Sequence, residues 1–191
     1  MFEPDRLSEL ITSARALARP EFAASRRSLV LTPLLSAFSA LLATSAQAET
    51  INPTETQITR SEAIKWSSWL PGFPPDSAQM ATLYGGLDNP GPYVVLMKWY
   101  PGFMSAPHTY ATDRLSVVVS GIWWVNSGAD FDPADAVPVP AGSFVRRVAR
   151  TPHYDGVIAG GKEPAVIALF GTGPVHFQLI DANQPAWRRA S

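Results

Sequence analysis

The segment His108-Thr-Tyr-Ala-Thr-Asp-Arg114 lies between a turn at Pro101-Gly102 and a mostly apolar run over residues 115–119. Side chains two positions apart on a β-strand point to the same side of the sheet. His108 and Tyr110 are therefore expected to share one face, and an imidazole, a phenol and a guanidinium occur within this one segment. The segment predicts a site of binding or catalysis wherever that face borders a cavity.

Short strand-like segments precede and follow this stretch. After residue 48, no apolar period of about 3.6 residues persists for three turns, so a helical domain is not expected. Segments rich in β-branched and aromatic residues recur instead about every 8–12 residues and are separated by glycine and proline. The pattern predicts an all-β sandwich or barrel with strands at residues 79–84, 93–99, 107–112, 114–119, 122–126, 137–148 (broken at 140–142), 152–157, 165–170 and 175–180.

Residues 1–48 have the features of an export leader. Arg26-Arg27 precedes an apolar run over residues 29–43, and Ala46-Gln47-Ala48 is a small-x-small cleavage pattern. Paired arginines before an apolar run resemble the twin-arginine signal of bacterial export, and the run is shorter than the roughly 20 residues of a membrane span. The sequence predicts a periplasmic protein with a leader (1–48), a linker or arm (49–61) and a β domain (62–191). An uncleaved anchor and an ordinary secretory signal stay open as alternatives.

Charge and cysteine content restrict the function classes. The leader holds five of the 15 basic and four of the 16 acidic residues, which leaves ten and twelve in the rest and a net charge near −2. This balance predicts no nucleic-acid partner and no membrane contact beyond the leader. The chain has no cysteine, which excludes thiol chemistry and cysteine metal ligands.

The spacing of residues 102–121 resembles the first motif of the cupin superfamily. That motif has a glycine, then His-x-His, then a glutamate and a closing glycine, and the corresponding positions here are Gly102, His108, Tyr110, Arg114 and Gly121. The second motif is represented by Pro140-Ala-Gly142 and Thr151-Pro-His-Tyr154. Residues 78–181 are similar to small single-domain bacterial cupins. The resemblance implies a cupin-type β-barrel, also called a double-stranded β-helix or jelly roll.

The resemblance also implies a metal site that has lost half of its ligands. In cupins that bind metal, two histidines and a glutamate of the first motif and one histidine of the second hold a divalent ion. Here His108 and His153 remain, whereas Tyr110 and Arg114 replace the other two ligands. Two imidazoles are fewer than the three protein ligands of a catalytic site. If the guanidinium pointed inward about 5 Å from a dication, the repulsion energy would be about 6 kcal/mol at an effective dielectric near 20.

These residues support one main hypothesis and several alternatives. The main hypothesis is a barrel that binds a small polar or acidic molecule through Arg114, Tyr110 and His153, with a weakened or lost metal. One alternative is an oxygenase or hydrolase that uses Fe, Mn, Zn or Cu on His108, His153 and a third ligand. Another is a metal-free enzyme for a sugar-like substrate, with His108 as base and Tyr110 as acid. A non-catalytic interaction module is also open, and homodimers are common among cupins. Whether the protein is an enzyme stays undecided at this stage.

Period-two alternation along the strands predicts which side of the sheet the remaining candidate residues face. Asp113 is expected to face away from Arg114, and Trp123 and Trp124 are expected to face opposite sides with one of them in the core. Arg147 is on a strand and is placed at the cavity. The residues interpreted as core, interface or surface rather than ligand contacts are Trp66, Trp69, Trp99 and His176.

Overall fold

Strands dominate the part of the chain that the computed structural model describes, residues 54–191. The predicted leader and residues 49–53 of the predicted linker lie outside the described residues. Two short 3-10 helices occupy Ser61–Ala63 and Pro133–Asp135, and no helix within residues 54–191 is long and apolar enough to cross a membrane. The strands are β1 (Ser67–Ser68), β2 (Ala78–Tyr84), β3 (Gly91–Trp99), β4 (Phe103–Ser105), β5 (His108–Tyr110), β6 (Arg114–Ser120), β7 (Ile122–Ser127), β8 (Val137–Pro140), β9 (Phe144–Arg147), β10 (His153–Val157), β11 (Ala165–Gly173), β12 (Phe177–Leu179) and β13 (Trp187–Arg189).

The strands form two antiparallel sheets. The six-stranded sheet has the order β1-β2-β3-β11-β6-β9. The other sheet has the order β12-β5-β10-β4-β13, and β7 also pairs with β10 and carries β8. Most neighbours in space are therefore distant in sequence, as in a jelly roll rather than a simple meander.

The main core lies between the inner faces of the two sheets. Alternation along β3 turns Val95, Met97 and Trp99 inward, where they pack with Val118 of β6 and Ile167 of β11. A second apolar cluster lies on the outer face of the six-stranded sheet, where Ile64 and Trp66 cover Ala81, Leu96 and Ala168. The central strands β3 and β11 are thus covered on both faces, which explains their continuous runs of apolar residues.

The turn that closes the first motif requires glycine. Gly121 has a φ of +71°, and a Cβ at this position would lie 2.5 Å from the carbonyl oxygen of Pro164. A side chain would therefore be strained by its backbone conformation and would also collide with fixed backbone. This turn joins β6 to β7, and so it sets where the two sheets connect.

The all-β prediction is confirmed, and most predicted strands are found with shifted ends. Three short strands were missed, namely β1, β4 and β13. The last predicted strand was at residues 175–180, yet the chain forms one more strand beyond it, where Trp187 of β13 pairs with Ser105 of β4. All three residues of β4 are buried. A three-residue strand without alternating burial carries no period-two signal, so only its pairing partners reveal it.

Candidate functional site

A small cavity of about 30 Å³ lies between the two sheets. The seven-stranded sheet contributes His108 and Tyr110 from β5, Trp123 from β7 and Asp155 from β10. The six-stranded sheet contributes the polar residues Arg114, Ser116 and Arg147 together with an apolar group, Met97, Trp99, Ile167 and Leu169. Trp69, which follows β1, completes the wall. Charged and aromatic groups thus share an interior space large enough for about two water molecules.

Strand pairing brings the polar residues of the two motifs together. On one side, His153 of β10 lies directly opposite His108 of β5. Asp155 follows His153 by two positions and so faces the same side. On the other side, Arg114 of β6 lies directly opposite Arg147 of β9. Two arginines in direct cross-strand register repel each other, so this placement needs a compensating negative charge.

Asp155 compensates one of the two arginines. Its carboxylate lies 3.7 Å from the guanidinium of Arg147 and accepts a hydrogen bond of 3.1 Å from Nε1 of Trp123. Arg147 also donates to the backbone carbonyls of Asn126 at 2.9 Å and of Tyr154 at 3.3 Å. Arg147 is therefore a buried cation with a counter-charge and two carbonyl acceptors.

Arg114 has no such partner. Only 5% of its surface is exposed, and its side chain forms no hydrogen bond or ion pair with any residue from 54 to 191. Its guanidinium lies 4.2 Å from the ring centre of Tyr110 and 5.7 Å from that of Tyr93, so its polar edge is not satisfied by these aromatic faces. Within residues 54–191, Nε of Arg114, Oγ of Ser116 and Nε of Arg147 are buried without a hydrogen-bond partner. Buried polar atoms are normally paired, and these three donors therefore point to a missing acceptor.

The two histidines are held in one tautomer. The ring of His108 lies 4.4 Å from that of His153, and each Nδ1 donates to a backbone carbonyl, that of Ala106 at 2.8 Å and that of Thr151 at 2.9 Å. In the neutral ring, the lone pair is then on Nε2. Burial lowers the pKa of His108 well below its usual value, and the positive groups of His153, Arg114 and Arg147 act in the same direction. Burial also lowers the pKa of His153, although the Asp155 carboxylate opposes this shift.

The cavity therefore carries a net charge near +1 when the histidines are neutral. Arg114 and Arg147 are positive, and Asp155 is negative. Tyr110 adds no charge, because burial raises its pKa to about 12 even though Arg114 acts to lower it. This pKa also argues against Tyr110 as a phenolate metal ligand.

A third metal donor is present that the sequence did not predict. His108, His153 and Asp155 each offer one donor atom, and the three atoms lie within 4.8 Å of one another. Two imidazoles and a carboxylate suit a first-row divalent metal, and the carbonyls on both Nδ1 atoms orient the rings as in many metal sites. The charge does not suit a dication, since Asp155 already neutralises Arg147 and Arg114 is left uncompensated. The donor set fits a divalent metal by type, whereas its charged neighbours oppose it.

Several expectations about single residues are met. His108 and Tyr110 share the inward face with ring centres 5.0 Å apart, and Arg147 reaches the cavity. Asp113 faces outward, where it pairs with Arg146 at 2.7 Å rather than with Arg114. Trp123 is buried, whereas Trp124 is partly exposed.

Other expectations need correction. Trp99 is a core residue and the partly buried Trp69 packs against the core, yet both also line the cavity, so their interpretation as core or interface alone was incomplete. The sequence analysis did not predict that Asp155 lines the cavity, pairs with Arg147 and lies beside the two histidines. The available signal was its position two residues after His153, which predicts a shared face.

Acid is expected to destabilise the fold through the two histidines. The unfolded chain binds more protons than the folded one between the lowered folded pKa values and the ordinary value of about 6.5. Stability is thus fully present above about pH 6.5 and is lost as the pH falls below it. Urea unfolding from pH 7.5 downward measures this slope, and His108→Asn should make it shallower. The exposed His176→Asn is the control, and an equal change of slope there would contradict the assignment.

Comparison with known proteins supports the fold. No protein-family model and no curated protein matches the sequence. An RmlC-like cupin protein from Ralstonia eutropha JMP134 matches with a TM-score of 0.51 and 17% identity, over 71% of this chain and 80% of that one. The polyketide cyclase RemF from Streptomyces resistomycificus matches with a TM-score of 0.51 and 12% identity, over 66% of this chain and 87% of that one. At such identities the likeness concerns the fold alone. The part of the chain that the structure describes, residues 54–191, has the cupin fold that these two proteins share.

Proposed function

We propose that this cupin domain binds a small anion inside its barrel, with Arg114 as the residue that holds it. The observation that carries the proposal is a buried guanidinium that faces the cavity and has no counter-charge among residues 54–191. If the predicted leader directs export, this binding takes place in the periplasm.

Electrostatics favours an anion over a neutral ligand. A charge in a poorly solvated interior is unfavourable unless it is paired and hydrogen-bonded. A carboxylate or similar anion would pair with Arg114 through charge-assisted hydrogen bonds, which are about twice as strong as neutral ones. It would also bring the charge of the cavity close to zero. Binding of an anion would therefore neutralise a buried charge that is unpaired in the ligand-free domain.

The alternative of a metal-free acid–base enzyme has less support. The lowered pKa of His108 makes its Nε2 a weak base, and efficient proton transfer favours a pKa near the working pH. Tyr110, with a pKa of about 12, is a weak acid. A cavity of about 30 Å³ is also small for a sugar-like molecule. In this proposal, His108 and Tyr110 are wall residues of the anion site.

Thermal unfolding of the full chain with added anions tests the proposal. A small anion such as acetate should raise the melting temperature, and the stabilisation should reach about 2.7 kcal/mol at a concentration 100 times the dissociation constant. Arg114→Met should abolish this effect at matched ionic strength.

The control variant is Arg146→Met, which removes an exposed arginine from the neighbouring strand. It should keep the full protection by anions, because its side chain lies outside the barrel. The proposal is wrong if no small anion protects the wild type, or if Arg114→Met is protected as well as the wild type is.

A divalent metal on His108, His153 and Asp155 is the second candidate, and the 4.8 Å donor cluster favours it. If positive charge is what weakens this site, Arg114→Met should bind zinc more tightly than the wild type does. Calorimetric titration of the metal-free protein with zinc measures both affinities. Tight, stoichiometric binding by the wild type that is lost in His153→Ala and Asp155→Ala would replace the anion proposal with the metal one. The oxygenase or hydrolase alternative would then have its third ligand.

A further inference from the structure

The walls of the cavity also restrict the class of anion. We propose that the ligand is a short monocarboxylate, a single carboxylate attached to a small apolar tail of about one or two carbons. This inference rests on the anion-binding function proposed above and adds the number of charges, the head group and the tail.

The number of charges follows from the cavity itself. Arg114 and Arg147 face Asp155, which leaves one positive charge when the histidines are neutral. A monoanion would balance this charge. A dianion such as sulfate or succinate would leave an excess negative charge close to the carboxylate of Asp155, where like charges repel strongly because water is scarce.

The head group is indicated by two of the three unsatisfied donors, those of Arg114 and Ser116 on β6. Arg114 and Ser116 are two positions apart on β6, and both side chains face the cavity. Nε of Arg114 and Oγ of Ser116 are buried and lack an acceptor in the described part of the chain. A carboxylate has two oxygens in one plane, so one oxygen can accept from the guanidinium while the other accepts from the hydroxyl.

The tail is indicated by the residues beside this polar pair. On the inner face of the six-stranded sheet, Ser116 lies opposite Leu169 of β11. The neighbouring residue of β11 on the same face is Ile167, which lies opposite Met97 of β3. The floor of the cavity therefore changes from polar to apolar in the step from β6 to β11. A hydroxyl or second carboxylate on the tail would be buried there without a partner, which is unfavourable.

The size is indicated by the volume of about 30 Å³. That space holds about two water molecules, so it favours the smallest carboxylates over an aromatic acid or a sugar acid. Acetate and propionate are the probes that match the charge, the head group and the tail.

Thermal unfolding of the full chain compares these probes at matched ionic strength and near neutral pH. Acetate and propionate should raise the melting temperature in a concentration-dependent way. Their uncharged isosteres, acetamide and propionamide, should raise it little, and so should malonate, succinate, sulfate and phosphate.

Two variants separate the head-group contacts from general stability. Ser116→Ala should weaken the protection by acetate by about tenfold or more in apparent affinity, because a hydrogen bond to a charged group is lost. Without ligand it should unfold at a temperature no lower than the wild type, because the hydroxyl has no partner to lose. Arg146→Met is again the control and should respond to acetate as the wild type does.

The outcomes distinguish the two proposals. Protection by the monocarboxylates alone, reduced in Ser116→Ala, supports the inference. Protection by sulfate, phosphate or dicarboxylates equal to that by acetate overturns the monocarboxylate inference but leaves the anion site in place. The same holds if Ser116→Ala binds acetate as the wild type does. Equal protection by acetamide, or no protection by any anion, overturns both.

Discussion

Replacing Asp155 with asparagine is expected to lower the free energy of unfolding by about 3–5 kcal/mol. Asparagine keeps the shape of the side chain and an oxygen that can accept from Trp123, so the substitution removes mainly the charge. Arg147 would then be a buried cation without its counter-charge, and the cavity would contain two uncompensated guanidiniums. Breaking a buried ion pair at one partner is among the largest single-residue effects on stability.

Denaturant unfolding measures this effect, and Asp113→Asn is the matched control. Asp113 also pairs with an arginine, Arg146 at 2.7 Å, but this pair lies on the surface. Solvent screens exposed pairs, so the control should lose much less stability. Equal losses in the two variants would show that the charge of Asp155 is not what stabilises the cavity.

Replacing Arg114 with methionine is expected to raise the free energy of unfolding of the ligand-free protein by about 1–3 kcal/mol. The substitution removes a buried charge that has no counter-charge within the described residues, and methionine fills a similar volume with a flexible apolar chain. The loss of the contact with the ring of Tyr110 offsets part of the gain. Functional sites often contain a residue that binds the ligand but destabilises the ligand-free protein, and Arg114 is expected to behave in this way.

The control for this variant is the same substitution at the directly opposite position. Arg147→Met should destabilise the protein by about 3–5 kcal/mol, because it leaves the carboxylate of Asp155 buried without its partner. The same substitution is thus expected to raise the free energy of unfolding at Arg114 and to lower it at Arg147, although the two residues lie directly opposite each other on β6 and β9. A loss of stability in Arg114→Met comparable to that in Arg147→Met would show that Arg114 serves the fold rather than a ligand.

The sequence was sufficient for the fold class and for part of the site. Strand propensity, glycine and proline turns and the spacing from Gly102 to Gly121 are local features, and they led to the barrel. The inward face of His108 and Tyr110 followed from period-two alternation alone. The short strands β4 and β13 did not follow, because each has three residues and is stabilised only by its pairing partners.

The partners of each charge were decided only by the tertiary structure. Period-two alternation turned Asp113 away from Arg114, but nothing in the sequence showed which arginine would pair with Asp155. Antiparallel pairing placed Asp155 beside Arg147 and turned Asp113 outward to Arg146, so Arg114 was left without a counter-charge among residues 54–191.

The sequence by itself therefore determined which residues could face the interior, because strand alternation is a property of consecutive residues. The tertiary structure decided which of these residues meet, because cross-strand register joins segments far apart in the chain: β6 with β9, and β5 with β10. The anion proposal depends on that second step. A buried charge indicates a ligand of opposite charge only after the side chains that could neutralise it have been located in the fold.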